Sequence, residues 1–262
     1  MDHTELLSGL LIGLIGGGAS GLLGVSSGGF LVPLIALLLG IEQHVAQGVS
    51  LVAQVPPTSL SGVMQYRRSG HAVPWRWVAL LSAGFIVGGI GGALGAGAIS
   101  DHVLRWMFVG YLLLLGTLAM LRSREPAATS TTGEGPAMTL GAATLIGVGL
   151  VSGVSSGLLG IGGGLAITAL LGAGMKLPQH QAQALALAVT TLPLTLPAAW
   201  VYAEKSRGLP WWLVAGIIVG LWVGTWLGSR LATLVAERTL RRFMVIAIFA
   251  MAAVMAWRTY VS

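Results

Sequence analysis

A chain of 262 residues that is 55% hydrophobic and only 8% charged cannot clothe a soluble domain, which carries about 25% charged residues. The net charge of +6 at pH 7 is scattered as pairs between apolar stretches, Arg67 with Arg68, Arg122 with Arg124, Lys205 with Arg207 and Arg241 with Arg242, and this pattern excludes the clustered basic face of a nucleic-acid binder. The absence of cysteine excludes disulfides, thiolate nucleophiles, iron–sulfur ligation and cysteine zinc sites.

The N-terminus reads Met-Asp-His-Thr-Glu, acidic where a signal peptide needs positive charge, so the first apolar segment, 6–23, is expected to be a retained span. Further apolar segments follow at 28–39, 46–64, 75–98 and 104–121. A polar stretch rich in Ser, Thr, Gly, Pro and Ala, 123–137, then reads as a solvated linker. Beyond it lie 140–159, 163–172, 182–202, 211–235 and 240–257. The long segments can cross about 30 Å of hydrocarbon. The second segment of each half is too short for an upright span and suits a half-helix or re-entrant piece.

The two halves match. A shift of 136 residues places Ser20-Gly21-Leu22-Leu23-Gly24 on Ser156-Gly157-Leu158-Leu159-Gly160, His44 and Gln47 on His180 and Gln183, Pro57 on Pro193, and Pro74-Trp75 on Pro210-Trp211. The expectation is an all-α polytopic membrane protein made of two homologous repeats, 1–122 and 138–262, with about 8–10 transmembrane segments and short or broken helices at the glycine-rich motifs. If the first two segments of each half make an even number of crossings, the repeats are inverted and most Lys and Arg share one side; this is the arrangement the positive-inside rule prefers. It predicts a multi-pass inner-membrane protein with both termini periplasmic.

Glycines recur every fourth residue at Gly9, Gly13, Gly17 and Gly21, at Gly84, Gly88 and Gly92, and at Gly220, Gly224 and Gly228. Such a ladder lies on one helix face and lets two helices approach closely in lipid. The clustered runs Gly24-Val25-Ser26-Ser27-Gly28-Gly29 and Gly160-Ile161-Gly162-Gly163-Gly164 are different. Consecutive glycines weaken a continuous helix by about 1 kcal/mol each. An unwound segment at membrane depth persists only where it is buried in protein or lines a wet cavity. The runs are either tight turns without a ligand or broken-helix ends whose free N–H groups attract an anion.

The charge map weighs on that choice. Asp2, Glu5, Glu42, Asp101, Glu125, Glu134, Glu204 and Glu237 all stand at segment ends or in loops, whereas a cation site usually carries an intramembrane carboxylate. The interior donors are neutral. The candidate substrate-binding residues are Ser20, Gly21, Gly24, Ser26, Ser27, Gly28, Ser155, Ser156, Gly157, Gly160, Gly162 and Gly163, with Thr191 and the helix-interrupting Pro57 and Pro193 lining the same space. His44 and Gln47, and His180 and Gln183, stand three apart at the start of the third segment of each half. The histidines either cap helices at headgroup level or contact substrate and gate the site. No metal site, cofactor or catalytic motif is expected. The partners expected are a small anionic substrate and the bilayer, with room for a homodimer and no nucleic acid.

Ser-Gly-Leu-Leu-Gly-x-Gly-Gly-Gly at Ser156–Gly164, and its first-half version at Ser20–Phe30, resemble the motif of the TauE/SafE (TSUP) family of membrane anion transporters. This chain departs from the glycine-only form at Ser26 and Ser27. The resemblance implies transport of sulfur-containing oxyanions, sulfite, thiosulfate, sulfonates such as sulfoacetate, or related organic acids; alternating access around a site between the two glycine-rich breaks is the mechanism expected. The membrane potential favours anion exit by about 2.3 kcal/mol per charge per 100 mV, so export is the preferred direction and proton-coupled uptake the alternative. A cation or metal transporter and a membrane enzyme are the weaker readings, because neither finds its residues here.

Overall fold

A computed structural model describes residues 2–23, 26–57, 60, 63–64, 73–123, 140–175, 177, 179–205, 209–232 and 237–261. Regular structure among them is entirely helical. In the first half the helices are α1 (Asp2–Leu23), α2 (Gly28–Leu39), α3 (Gln43–Ala53), α4 (Trp75–Ala96) and α5 (Asp101–Ser123). The second half has α6 (Ala142–Leu159), α7 (Gly164–Ala169, continued by a π turn over Leu170–Gly174), α8 (Gln179–Thr191), α9 (Leu196–Lys205), α10 (Trp211–Ala232) and α11 (Glu237–Val261). The starts of α2, α3, α4 and α5 fall on the starts of α7, α8, α10 and α11 under the 136-residue shift.

By length and hydropathy, four of these helices can cross a membrane: His3–Leu22, Trp75–Ala96, Ala142–Leu159 and Trp211–Gly228. A fifth candidate is the pair Gln181–Thr191 and Leu196–Glu204, bent by 50°. The sequence segments suggest 8–10 crossings, so the described helices supply fewer clear ones. α2 has only 12 residues, and α5 and α11 open on charged turns containing Asp101 and Arg105 or Glu237, Arg238, Arg241 and Arg242.

The four long spans associate as two pairs through the glycine ladders. A Cβ on Gly84, Gly88 or Gly92 of α4 would fall on the carbonyl oxygen of Ile146, Leu150 or Val154 of α6. Gly149, Gly153 and Gly157 of α6 press in return on the carbonyls of Leu81, Phe85 and Gly89. α1 and α10 repeat the arrangement: Gly9, Gly13 and Gly17 meet Leu213, Ile217 and Leu221, while Gly216, Gly220 and Gly224 meet Leu6, Leu10 and Leu14. Lipid tails are as apolar as leucine, so close backbone packing rather than water exclusion holds such pairs together. The faces turned away carry large apolar side chains, among them Val87, Leu94, Trp222 and Trp226. That is a liability in water and the expected surface against hydrocarbon.

Each pair takes one helix from each half of the chain, so the halves interlock. The short helices fill the space between. α3 packs on α2 and α9, and α7 packs on α8. Leu31, Val32, Ile35, Val49 and Leu51 are buried there together with Ile161.

Candidate functional site

α6 ends at Leu159 on a left-handed Gly160 (φ 72°), and α7 does not begin until Gly164. Between them the backbone turns through Gly162 (φ 78°) and Gly163 (φ 69°). A side chain in this region costs about 1–2 kcal/mol. There is also no room for one, since a Cβ on Gly162 would strike Gln54 Oε1 and one on Gly163 the ring of Phe85. Phe85 lies midway along Trp75–Ala96, which sets the break level with the middle of a span.

The first-half motif meets this break directly. Ser26 Oγ lies 3.1 Å from both the Ile161 carbonyl oxygen and Gln54 Oε1, its single proton shared between them. A Cβ on Gly28 would land on the Ile161 carbonyl, and one on Gly164 would be 3.0 Å from Ser26 Cβ. α3 supplies the third wall. Its buried face carries Gln43, Gln47, Ser50 and Gln54, spaced so that they stack along one side of the helix. Gln54 Nε2 donates to Ser50 Oγ at 3.0 Å and to the Ser50 carbonyl at 2.9 Å. Tyr202, from α9, places its hydroxyl 2.9 Å from both Gln47 Oε1 and the Gly157 carbonyl, its single proton shared between them.

Several donors are left over. Among the described residues, the N–H groups of Ile161, Gly162 and Gly163 make no backbone hydrogen bond, and Gln47 Nε2 and Ser156 Oγ have no partner although both side chains are buried. Successive glycine N–H groups in left-handed turns form a concave nest suited to an anion. No charged side chain is among the described residues that build this wall. An unpaired buried donor costs about 1–3 kcal/mol, so several at one place favour an acceptor from outside the chain.

At the other end of α3, Asp101 from the start of α5 accepts from the backbone N–H of Gln43 at 3.1 Å and of His44 at 3.4 Å. His44 Nε2 lies 3.2 Å from Asp101 Oδ1 and 3.2 Å from the Ile99 carbonyl. Both neighbours are acceptors, so this nitrogen carries the proton. The histidine therefore belongs to a helix-end cluster, one turn from Gln47, rather than to the glycine break itself.

The other residues expected at the site are divided. Ser26, Gly28, Gln47, Gly157, Gly160, Gly162 and Gly163 come together as described, and buried Ser27 precedes α2, its carbonyl accepting from Phe30 and Leu31. Ser155 does not join them. Its hydroxyl bonds to Val151 in its own helix, because neighbouring helical residues point about 100° apart and Ser156 has the inward face. Thr191 is likewise bonded to Leu187 in its own helix, while Pro57 and Pro193 are exposed. Ser20 and Gly21 are half-buried near the end of α1, and Gln183 is half-buried on α8. Gly24 and the side chain of His180 lie outside the described residues. Ser50 and Gln54 belong to the neutral interior donors of the sequence but not to the candidate binding residues, and Tyr202 was not expected at the site. The stacking of Gln43, Gln47, Ser50 and Gln54 along one side of α3 brings Ser50 and Gln54 to the break.

The sulfite exporter TauE/SafE family model matches residues 9–255. The chain belongs to the TauE/SafE family. This TauE/SafE protein is 29% identical to a probable membrane transporter protein of Xylella fastidiosa strain 9a5c over 98% of its own length and 94% of the relative. A second probable membrane transporter protein, from Xylella fastidiosa strain Temecula1, is 31% identical over 66% of this chain and 61% of the relative. No solved structure matches the chain significantly. It is thus a multi-pass membrane transporter of the TauE/SafE family.

Proposed function

We propose that this transporter carries small sulfur-containing oxyanions, sulfite, thiosulfate or short sulfonates such as sulfoacetate, across the inner membrane. The observation that supports this most is the Gly160–Gly163 break, which faces Ser26, Gln47 and Gln54 with unpaired neutral donors and no ionised side chain among the described residues. Neutral hydrogen bonds in a low-dielectric site hold an anion firmly enough to select it and loosely enough to release it. A cation would find no carboxylate there, and no group of three His, Asp or Glu able to hold a metal occurs among the described residues.

Two inverted repeats, with both termini periplasmic, would let the halves rock about this point in alternating access. Support comes from the matching helix starts and from the exchange of long helices between the halves. Export is the preferred direction, since the membrane potential drives an anion outward. The His44–Asp101 pair favours one second reading, uptake with a proton, because it places a titratable couple one turn from Gln47.

The test is counterflow of radiolabelled sulfite, thiosulfate and sulfoacetate in proteoliposomes under an imposed potential. Anion flux that rises with an outward-driving potential and is lost in Gly162→Ala supports the proposal. Flux of divalent cations without anion flux would defeat it. Flux that needs an inward proton gradient and falls in His44→Ala selects the uptake reading.

A further inference from the structure

We propose that Tyr202 is a positioning residue for the anion: its hydroxyl holds the Gln47 carboxamide so that the amide nitrogen, not the carbonyl oxygen, is offered to the ligand. This rests on the reading of the glycine break as an oxyanion site and deepens it.

A glutamine side chain ends in two groups of nearly the same size and opposite sense, a donor NH2 and an acceptor oxygen, and half a turn about the last bond exchanges them. At a site for an anion this half-turn decides between attraction and repulsion. Gln47 is fully buried, and its backbone is wedged against the break, since a Cβ on Gly160 would lie 2.8 Å from Gln47 Cα. Bulk water cannot set the orientation of its amide. The phenol can: its single proton is shared between Gln47 Oε1 and the Gly157 carbonyl, each 2.9 Å away, and in this arrangement the carboxamide turns its oxygen toward the hydroxyl. Nε2 is then left without a partner among the described residues.

The phenol is itself anchored. Tyr202 is 4% exposed, and its oxygen lies 2.9 Å from the Gly157 carbonyl and 3.4 Å from that of Leu158, at the last turn of α6 before the break. An anion that accepts from Nε2 polarises the amide and makes Oε1 a better acceptor, so ligand and phenol reinforce each other. The contact also spans the two halves. Gln47 belongs to α3, whereas Tyr202 follows the 50° bend between α8 and α9, so the donor is presented only while α9 is docked against α3.

The experiment is sulfite binding by titration calorimetry on the purified full chain, comparing Gln47→Ala, Tyr202→Phe, their double variant and Gln47→Met. The expected result is about tenfold weaker binding for Gln47→Ala and for Tyr202→Phe, with the double variant no weaker than either, as for two residues acting as one unit. Gln47→Met keeps the length of the side chain, removes both the acceptor for the phenol and the donor for the anion, and should weaken binding as Gln47→Ala does. Wild-type affinity in Tyr202→Phe, with Gln47→Ala weakened, overturns the positioning role and leaves the site standing. A Tyr202→Phe loss that persists undiminished on the Gln47→Ala background overturns it too, since the phenol then acts elsewhere. Wild-type affinity in Gln47→Ala removes the site reading together with the inference.

Discussion

Ser50 Oγ donates to the carbonyl oxygen of Gly160 at 2.8 Å, joining the middle of α3 to the residue on which α6 ends. Ser50 Oγ in turn accepts from Gln54 Nε2, and Gln54 Oε1 accepts from Ser26 Oγ. Three side chains thus form one chain of hydrogen bonds between the two glycine-rich motifs. Ser50→Ala strands the Gly160 carbonyl in a buried position, at a cost of about 1–3 kcal/mol. Thermal unfolding in detergent should show the loss, and Ser50→Thr, which keeps the hydroxyl, should recover most of it. Equal melting of Ser50→Ala and wild type would mean that the carbonyl finds another donor.

Gly162 should be intolerant of a methyl group for two separable reasons. Its φ of 78° costs an alanine about 1–2 kcal/mol, and its Cβ would displace the Gln54 carboxamide and approach Ser26 Oγ at 2.9 Å. Gly162→Ala is therefore expected to insert in the membrane yet lose anion binding. Gly174→Ala, with open space around its Cβ, is the control that should bind normally. If the two variants bound sulfite equally, the break would be a turn and nothing more.

The ladder between α4 and α6 makes a prediction about stability alone. A methyl group on Gly153 meets the Phe85 carbonyl and, at 2.9 Å, the Gly89 nitrogen, whereas Gly147 on the same helix has nothing within 4 Å. Overpacking of this kind costs about 1–3 kcal/mol, while an alanine at the open position gains up to about 1 kcal/mol of helix propensity. Gly153→Ala should melt earlier than wild type and Gly147→Ala no earlier. Melting curves in the same detergent decide it, and the reverse order would show that these helices are not held at the spacing seen here.

How much of this could be read from the sequence follows from the range of each interaction. The ladders were legible because glycine every fourth residue has one meaning on a helix, and the break between Leu159 and Gly164 because no continuous helix suits so many glycines. The short second segments of the halves were legible from length. Tyr202 was not. Standing two residues before Glu204, it looks like an interfacial aromatic, and only the bend at 192–195 tucks it against Gln47, 155 residues away in sequence. Ser155 and Ser156 are equally polar neighbours, and helix register alone decides which faces inward. The described helices give four or five candidate crossings where the apolar segments suggest 8–10, because apolar composition does not reveal where a helix stops.

Asp101 and His44 allow a sharper separation of roles. Two backbone N–H groups at the start of α3 depend on the Asp101 carboxylate, and losing such a cap costs about 0.5–2 kcal/mol. The contact with His44 joins side chains that are 28% and 30% exposed, and an ion pair so placed contributes about 0–1 kcal/mol. Asp101→Asn keeps one acceptor, for the closer Gln43 N–H, and should melt between wild type and Asp101→Ala, which should melt lowest. Transport tells the rest. If the pair only fastens α3, sulfite flux should follow stability across Asp101→Asn and Asp101→Ala and be unchanged in His44→Gln. A variant that melts like wild type but loses the dependence of flux on an imposed proton gradient would instead place the proton on this pair and turn the transporter toward uptake.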